Sequence, residues 1–247
     1  MPFDLGLGQT AALSIALFGA AFVRGYSGFG FSAIFIAFAA LITNPLPLIP
    51  VVFACEMLMT VFQARGIRGH VDWRRVFALL AGAAIVLPAS VWFILSLGEG
   101  AVRLAVSFIV LVMSLILLAG WSLPAIRTSG HVGVGAVSGL CNSAGSGGLP
   151  VAAFMAAQPM EAARFRATMI VYLTGLDLIT MPLLWAGGLV TKETALGVTL
   201  AFPLLGLGVW LGGRKFLAAS PSTFRRFAVM LLLTLSLLGL LRAIIRI

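Results

Sequence analysis

The sequence predicts an all-α polytopic membrane protein made of two inverted-topology repeats of five helical segments each. Three observations carry that expectation. Of the 247 residues, 61% are hydrophobic and only 9% are charged, against about 25% charged in a soluble domain. Two glycine knots, Arg24-Gly25-Tyr26-Ser27-Gly28-Phe29-Gly30 and Asn142-Ser143-Ala144-Gly145-Ser146-Gly147-Gly148, each divide what would otherwise be one long apolar stretch. Basic residues crowd into alternate loops, as topology-setting charges do.

Ten apolar segments follow in order, at roughly 7–23, 28–43, 46–64, 74–97, 101–121, 131–142, 148–158, 164–187, 193–216 and 224–245. The first lacks a basic leader and a small-residue cleavage pattern, so it reads as a retained helix. No polar stretch is long enough to fold alone, and residues 1–247 read as one transmembrane domain. Breakers close several segments: Asn44-Pro45-Leu46-Pro47, Gly98-Glu99-Gly100, Gly187-Gly188 and Ser220-Pro221. Segments 131–142 and 148–158 are too short to cross a hydrocarbon core of ~30 Å at ~1.5 Å per residue. They read as a re-entrant pair meeting near the midplane, because broken backbone in a bilayer needs protein or a water-filled cavity around it. The first pair is longer, and its sequence allows either a full crossing or a second re-entrant hairpin. Eight full spans result if one pair is re-entrant, six if both are.

With the N-terminus outside and sides alternating, twelve of the 16 Lys and Arg residues fall on one side and four on the other. The rich side should be cytoplasmic, which puts both termini outside. The net charge of +9 thus belongs to loops, and no nucleic-acid partner is expected. Cys55 and Cys141 lie in apolar segments and read as buried small hydrophobes. His70 and His131 have no metal-ligand partners at useful spacing. The glycine knots lack the lysine of a phosphate-binding loop. No cofactor is expected, and an intramembrane enzyme finds no nucleophile and base at depth.

The halves echo one another. Gly28 aligns with Gly145, Gly30 with Gly147, Pro88 with Pro203, and Val102-Arg-Leu-Ala-Val106 with Arg225-Arg-Phe-Ala-Val229. Repeat 1 covers about 7–121 and repeat 2 about 131–247. An odd number of segments in each half inverts the second relative to the first.

On these knots, duplicated halves and length, the chain resembles the sulfite exporter TauE/SafE family of anion permeases. The most specific part is Gly145-Ser146-Gly147-Gly148-Leu149-Pro150; the first knot departs from a plain glycine triplet, with Phe29 and Phe31 around Gly30. The resemblance implies a secondary permease of the bacterial cell inner membrane, with sulfite or a small organosulfonate as substrate.

The candidate substrate-binding residues are therefore Arg24, Gly25, Tyr26, Ser27, Gly28, Phe29 and Gly30 in the first knot. In the second they are Asn142, Ser143, Ala144, Gly145, Ser146 and Gly147. Glycine lets backbone approach a ligand, and the helices that follow turn their positive ends toward the tips. Close helix packing is the competing role for the glycines. Arg24 is either an anion ligand at depth or an ordinary cytoplasmic loop arginine. Glu56 and Asp177 lie in apolar segments 3 and 8, where they could couple transport to a proton or a sodium ion, or serve as a structural salt bridge. Gln63 and Tyr172 would add polar lining, whereas Thr60, Thr168, Thr174 and Thr180 are expected to bond their own helix backbone. Segments 5 and 10 read as apolar all round, facing lipid or a second copy in a homo-oligomer. An anion channel using the same knots is the other transport class the sequence allows.

Overall fold

A computed structural model describes Phe3, residues 5–119 and 128–216, and the isolated positions Met230, Leu233 and Leu237. The tenth segment, 224–245, with Arg225 and Arg226, lies outside the described residues. Nine α-helices occur among those described: α1 Leu7–Ser27, α2 Phe31–Ile42, α3 Ile49–Ile67, α4 Trp73–Ser96, α5 Glu99–Ala119, α6 Thr128–Asn142, α7 Gly148–Ala156, α8 Ala162–Ala186 and α9 Lys192–Phe216. No strand occurs among them. Six helices are long and apolar enough to cross a membrane: α1, α3 with the 3-10 turn before it, α4, α5, α8 and α9.

Local chemistry sets the boundaries. α1 stops at Gly28, whose φ of 83° is left-handed and whose N–H donates to the Arg24 carbonyl at 2.8 Å. Glycine reaches that conformation without a Cβ clash. α1 therefore runs four residues beyond the predicted 23, and half of the first knot is helix. α4 begins on Asp72, whose carboxylate accepts from the Arg75 backbone N–H at 3.2 Å. Pro88, Pro182 and Pro203 all sit inside helices. α6 and α7 hold 15 and 9 residues, reaching about 22 Å and about 14 Å at ~1.5 Å per residue.

Contacts between loops sort them into two sides. The Phe3 N–H donates to Glu193 at 3.0 Å, and Gln9 donates to the Ile42 carbonyl at 3.2 Å. The start of α1, the end of α2 and the start of α9 thus share one side. Arg74 donates to Thr128 at 3.1 Å, and the Asp72 N–H donates to Thr168 at 3.0 Å. Arg75 approaches the Met160 sulfur at 3.8 Å. The start of α4, the start of α6 and the start of α8 share the opposite, basic side. The start of α6 and the stretch after α7 thus both lie near the start of α4.

Packing is closest in two parallel pairs, α1 on α9 and α4 on α6. A Cβ built on Gly82 would fall on the Val132 carbonyl oxygen, and one on Gly135 on the Leu79 carbonyl. In the other pair, Gly212 meets Phe22 and Gly25 meets Val209 in the same way. Small residues let membrane helices come this close. α3 and α8 run antiparallel through the middle, the end of α3 meeting the start of α8 in an Ile67–Ala167–Ile170 cluster. The outer surface is apolar: Ile15, Ile85, Trp92, Leu178 and Trp185 are exposed, as lipid-facing side chains are. α5 is not apolar all round in use. Val102, Val106 and Val110 bury one stripe while Phe108 and Leu115 face out, because α5 packs on α2 and α7.

Candidate functional site: a buried polar band between two knots

The site is built on facing sides of α3 and α8. Along α3, Glu56, Thr60 and Gln63 recur at helical spacing; along α8, Thr174, Asp177 and Thr180 do the same. The Thr60 and Thr174 hydroxyls meet at 2.7 Å. Because the helices run antiparallel, the next turn sets Glu56 level with Asp177.

Arg24 enters this band from the last turn of α1 and is wholly buried, at 0% exposure. Its Nη1–H donates to Glu56 Oε1 at 3.1 Å and its Nη2–H to Thr60 Oγ1 at 3.3 Å. Its Nε–H has no partner. Arg24 is therefore not a surface loop arginine. A guanidinium carries five donors in a planar fork, so the ion pair leaves capacity for a ligand. Asp177 is also at 0% exposure, and neither carboxylate oxygen receives a donor. Gln63, at 6% exposure, has both amide atoms unpartnered. Buried polar atoms without partners are rare in folded proteins, and three residues in one band have them.

The second knot reaches the band from the other end. Asn142 Nδ2 donates to Thr180 Oγ1 at 2.9 Å. Ser143 accepts from Ser90 on α4 at 2.7 Å and donates to the Leu140 carbonyl at 3.1 Å. Tyr172 donates to Ser138 at 2.6 Å, and Ser138 in turn donates to the Gly147 carbonyl. Gly145, left-handed at φ 71°, lies against Ile36 of α2. Ala144 and Ser146 are buried at the tip, where Ser146 makes a long bond to the Ala144 carbonyl.

The first knot is anchored elsewhere. Gly28 lies against the Arg166 stem, and Arg166 donates to the Gly25 carbonyl at 2.7 Å. Phe29 packs edge-on to Phe165. Ser27 is engaged with the Val23 and Phe29 carbonyls at 2.8 and 2.9 Å. Tyr26 is buried at 4% exposure, and Gly30 opens α2. The two tips thus contact α8 at Arg166 and at Thr180, about 21 Å apart at ~1.5 Å per residue. The tips therefore seat apart along α8 and do not meet there. Arg24 reaches inward instead to Thr60, which meets Thr174, and Asn142 reaches to Thr180; Thr174 and Thr180 lie about 9 Å apart on the same scale. Asp177 occupies the interval.

Thr60, Thr174, Thr180, Arg166 and Ser138 were not among the predicted site residues. The threonines do bond their own backbones, to Glu56, Ile170 and Leu176, but they also join Arg24 and Asn142 to the band. Their signal was present: Thr174, Asp177 and Thr180 line one face of an otherwise apolar helix. Arg166 had none, since it sits in a loop-like basic run. His131, near the start of α6, is buried and edge-on to Phe154 at 5.1 Å. Cys55 and Cys141 are free and buried. No metal-holding cluster occurs among the described residues.

Long apolar helices wrapped around a buried charged band define a multi-pass membrane protein of the transporter class. A profile of the family described as "Sulfite exporter TauE/SafE" matches residues 13–238. The chain belongs to that family. No curated protein and no solved structure matches the chain.

Proposed function

We propose that the chain carries a small sulfur oxyanion or short organosulfonate across the bacterial inner membrane by alternating access around the α3–α8 band. The observation that carries this reading is Arg24: a wholly buried guanidinium, set between the knots, with a donor to spare. A fixed charge at membrane depth is costly and marks a transport path, and its planar fork suits an oxyanion. Asn142 would hold the far side of the guest, and the α2 and α7 positive ends would face the knots.

Helix pairing supports two inverted halves, about 7–121 and 131–247. Exchanging α1 with α6, α3 with α8 and α4 with α9 turns the α1–α9 pair into the α4–α6 pair. The same exchange turns α3–α9 into α4–α8 and leaves α3–α8 on itself, and each of these pairs is packed. The band then sits on the repeat axis, where such transporters bind substrate. Both hairpins, α1–α2 and α6–α7, are re-entrant in this reading. The basic side is cytoplasmic and both termini are periplasmic.

Purified protein should be heated with sulfite, methanesulfonate, sulfate and chloride in turn. A bound anion at a hundred times its Kd adds about 2.7 kcal/mol of stability, so sulfite or methanesulfonate should raise the melting temperature and chloride should not. In proteoliposomes, unlabelled substrate inside should accelerate entry of labelled substrate. A melting temperature indifferent to every anion, or entry without accelerated exchange as a pore would give, would sink the carrier reading.

A further inference from the structure

The geometry points to one proton held between the carboxyl groups of Glu56 and Asp177, which crosses the membrane together with the anion. This deepens the transport reading above and rests on it. Asp177 has no donor on either oxygen, and the 2.7 Å contact between Thr60 and Thr174 sets its turn of α8 level with Glu56 on α3. Two ionised carboxylates cannot bond each other, and neighbouring buried acids share a proton instead.

The surroundings offer no other source. α1 brings Arg24, whose bonded donors go to Glu56 and Thr60 and not to Asp177. α8 itself brings Tyr172, whose hydroxyl donates to Ser138, and Arg166, about three turns away at the first tip. α3 adds Cys55 next to Glu56, α6 brings Cys141 and His131, α9 carries charge only at its two ends, and α2, α7 and the middle of α4 carry no charged side chain. Asp177 is left facing Glu56.

Charge balance then sets the direction of coupling. The band holds the Arg24 guanidinium and two carboxyl groups. With both acids ionised it carries one net negative charge; with one proton on the pair it is neutral. An anion prefers the second state. Conversely, an anion taking donors from Arg24 strips Glu56 of its counterion and tightens the proton. Each ligand therefore favours the other, by the same factor in both directions. Proton and anion should move as one, in symport.

The test uses methanesulfonate, whose sulfonate does not titrate near neutrality. Wild-type proteoliposomes are placed in a gradient of one pH unit, acidic outside. One proton per monoanion drives accumulation toward about tenfold, since one pH unit is a tenfold ratio of protons. Asp177→Asn and Glu56→Gln should hold that ratio at one; Asp177→Glu, which keeps the acid, should retain accumulation. Counterflow without any response to the pH gradient overturns the proton assignment and leaves the carrier reading standing. Accumulation driven by a sodium gradient instead also overturns it. Absence of counterflow overturns both. If Asp177→Asn does not assemble, the wild-type ratio together with Glu56→Gln and Asp177→Glu still decides.

Discussion

Arg24→Ala should lose transport and stability together, and adding Glu56→Gln should restore only the second. Removing Arg24 leaves Glu56, at 1% exposure, buried without its cation. Breaking a buried pair from one side costs about 3–5 kcal/mol. Glu56→Gln removes the stranded charge and gives Asp177 an amide donor, so the double variant should melt close to wild type. Anion exchange should stay depressed in both, by about a hundredfold, because a desolvated charged ligand contributes about 2–5 kcal/mol to binding. Counterflow and thermal melting of the four-member cycle make the measurement. A double variant that is stable and exchanges at the wild-type rate would reduce Arg24 to a structural counterion.

Gly135→Val should prevent assembly, whereas Gly133→Ala, two residues earlier on α6, should be neutral or mildly stabilising. At Gly135 the added atoms would occupy the space of the Leu79 backbone carbonyl. A backbone cannot step aside as a side-chain tip can, so α4 and α6 must separate along their whole contact. Effects above about 4 kcal/mol come from a short list of causes, core overpacking among them. Gly133 has nothing within 4 Å of a built Cβ, and alanine is about 1 kcal/mol better than glycine within a helix. Size-exclusion profiles after graded heating would compare them. Equal melting of Gly135→Val and wild type would mean that the α4–α6 backbones are not in contact.

Much of this was legible in the chain. Each described helix lies within a few residues of an apolar run. The candidate acid Glu56 does pair with Arg24, and Asp177 lies on the facing side of α8, each acid being the one charge in the apolar middle of its helix. What misled was the glycine signal. In the first knot Gly25 stays helical and is small so that α9 can approach, while Gly28 alone ends the helix. Composition does not distinguish these uses, since both require only a missing Cβ. The separation of the tips was hidden for a related reason. It depends on where each hairpin seats along α8, and that register is set by Arg166 and Thr180, residues far from either knot in sequence.

The marriage of α1 to α9 bears on how the ribosome must deliver this molecule. Translation at about 5–20 residues per second leaves Gly25 waiting roughly 10–40 s for Val209 to emerge. During that delay the first hairpin stands in lipid without its permanent neighbour, carrying a cation at depth. Glu56 arrives only 32 residues after Arg24, within seconds. The acid is thus an early escort, neutralising the newborn helix long before the bundle closes around both.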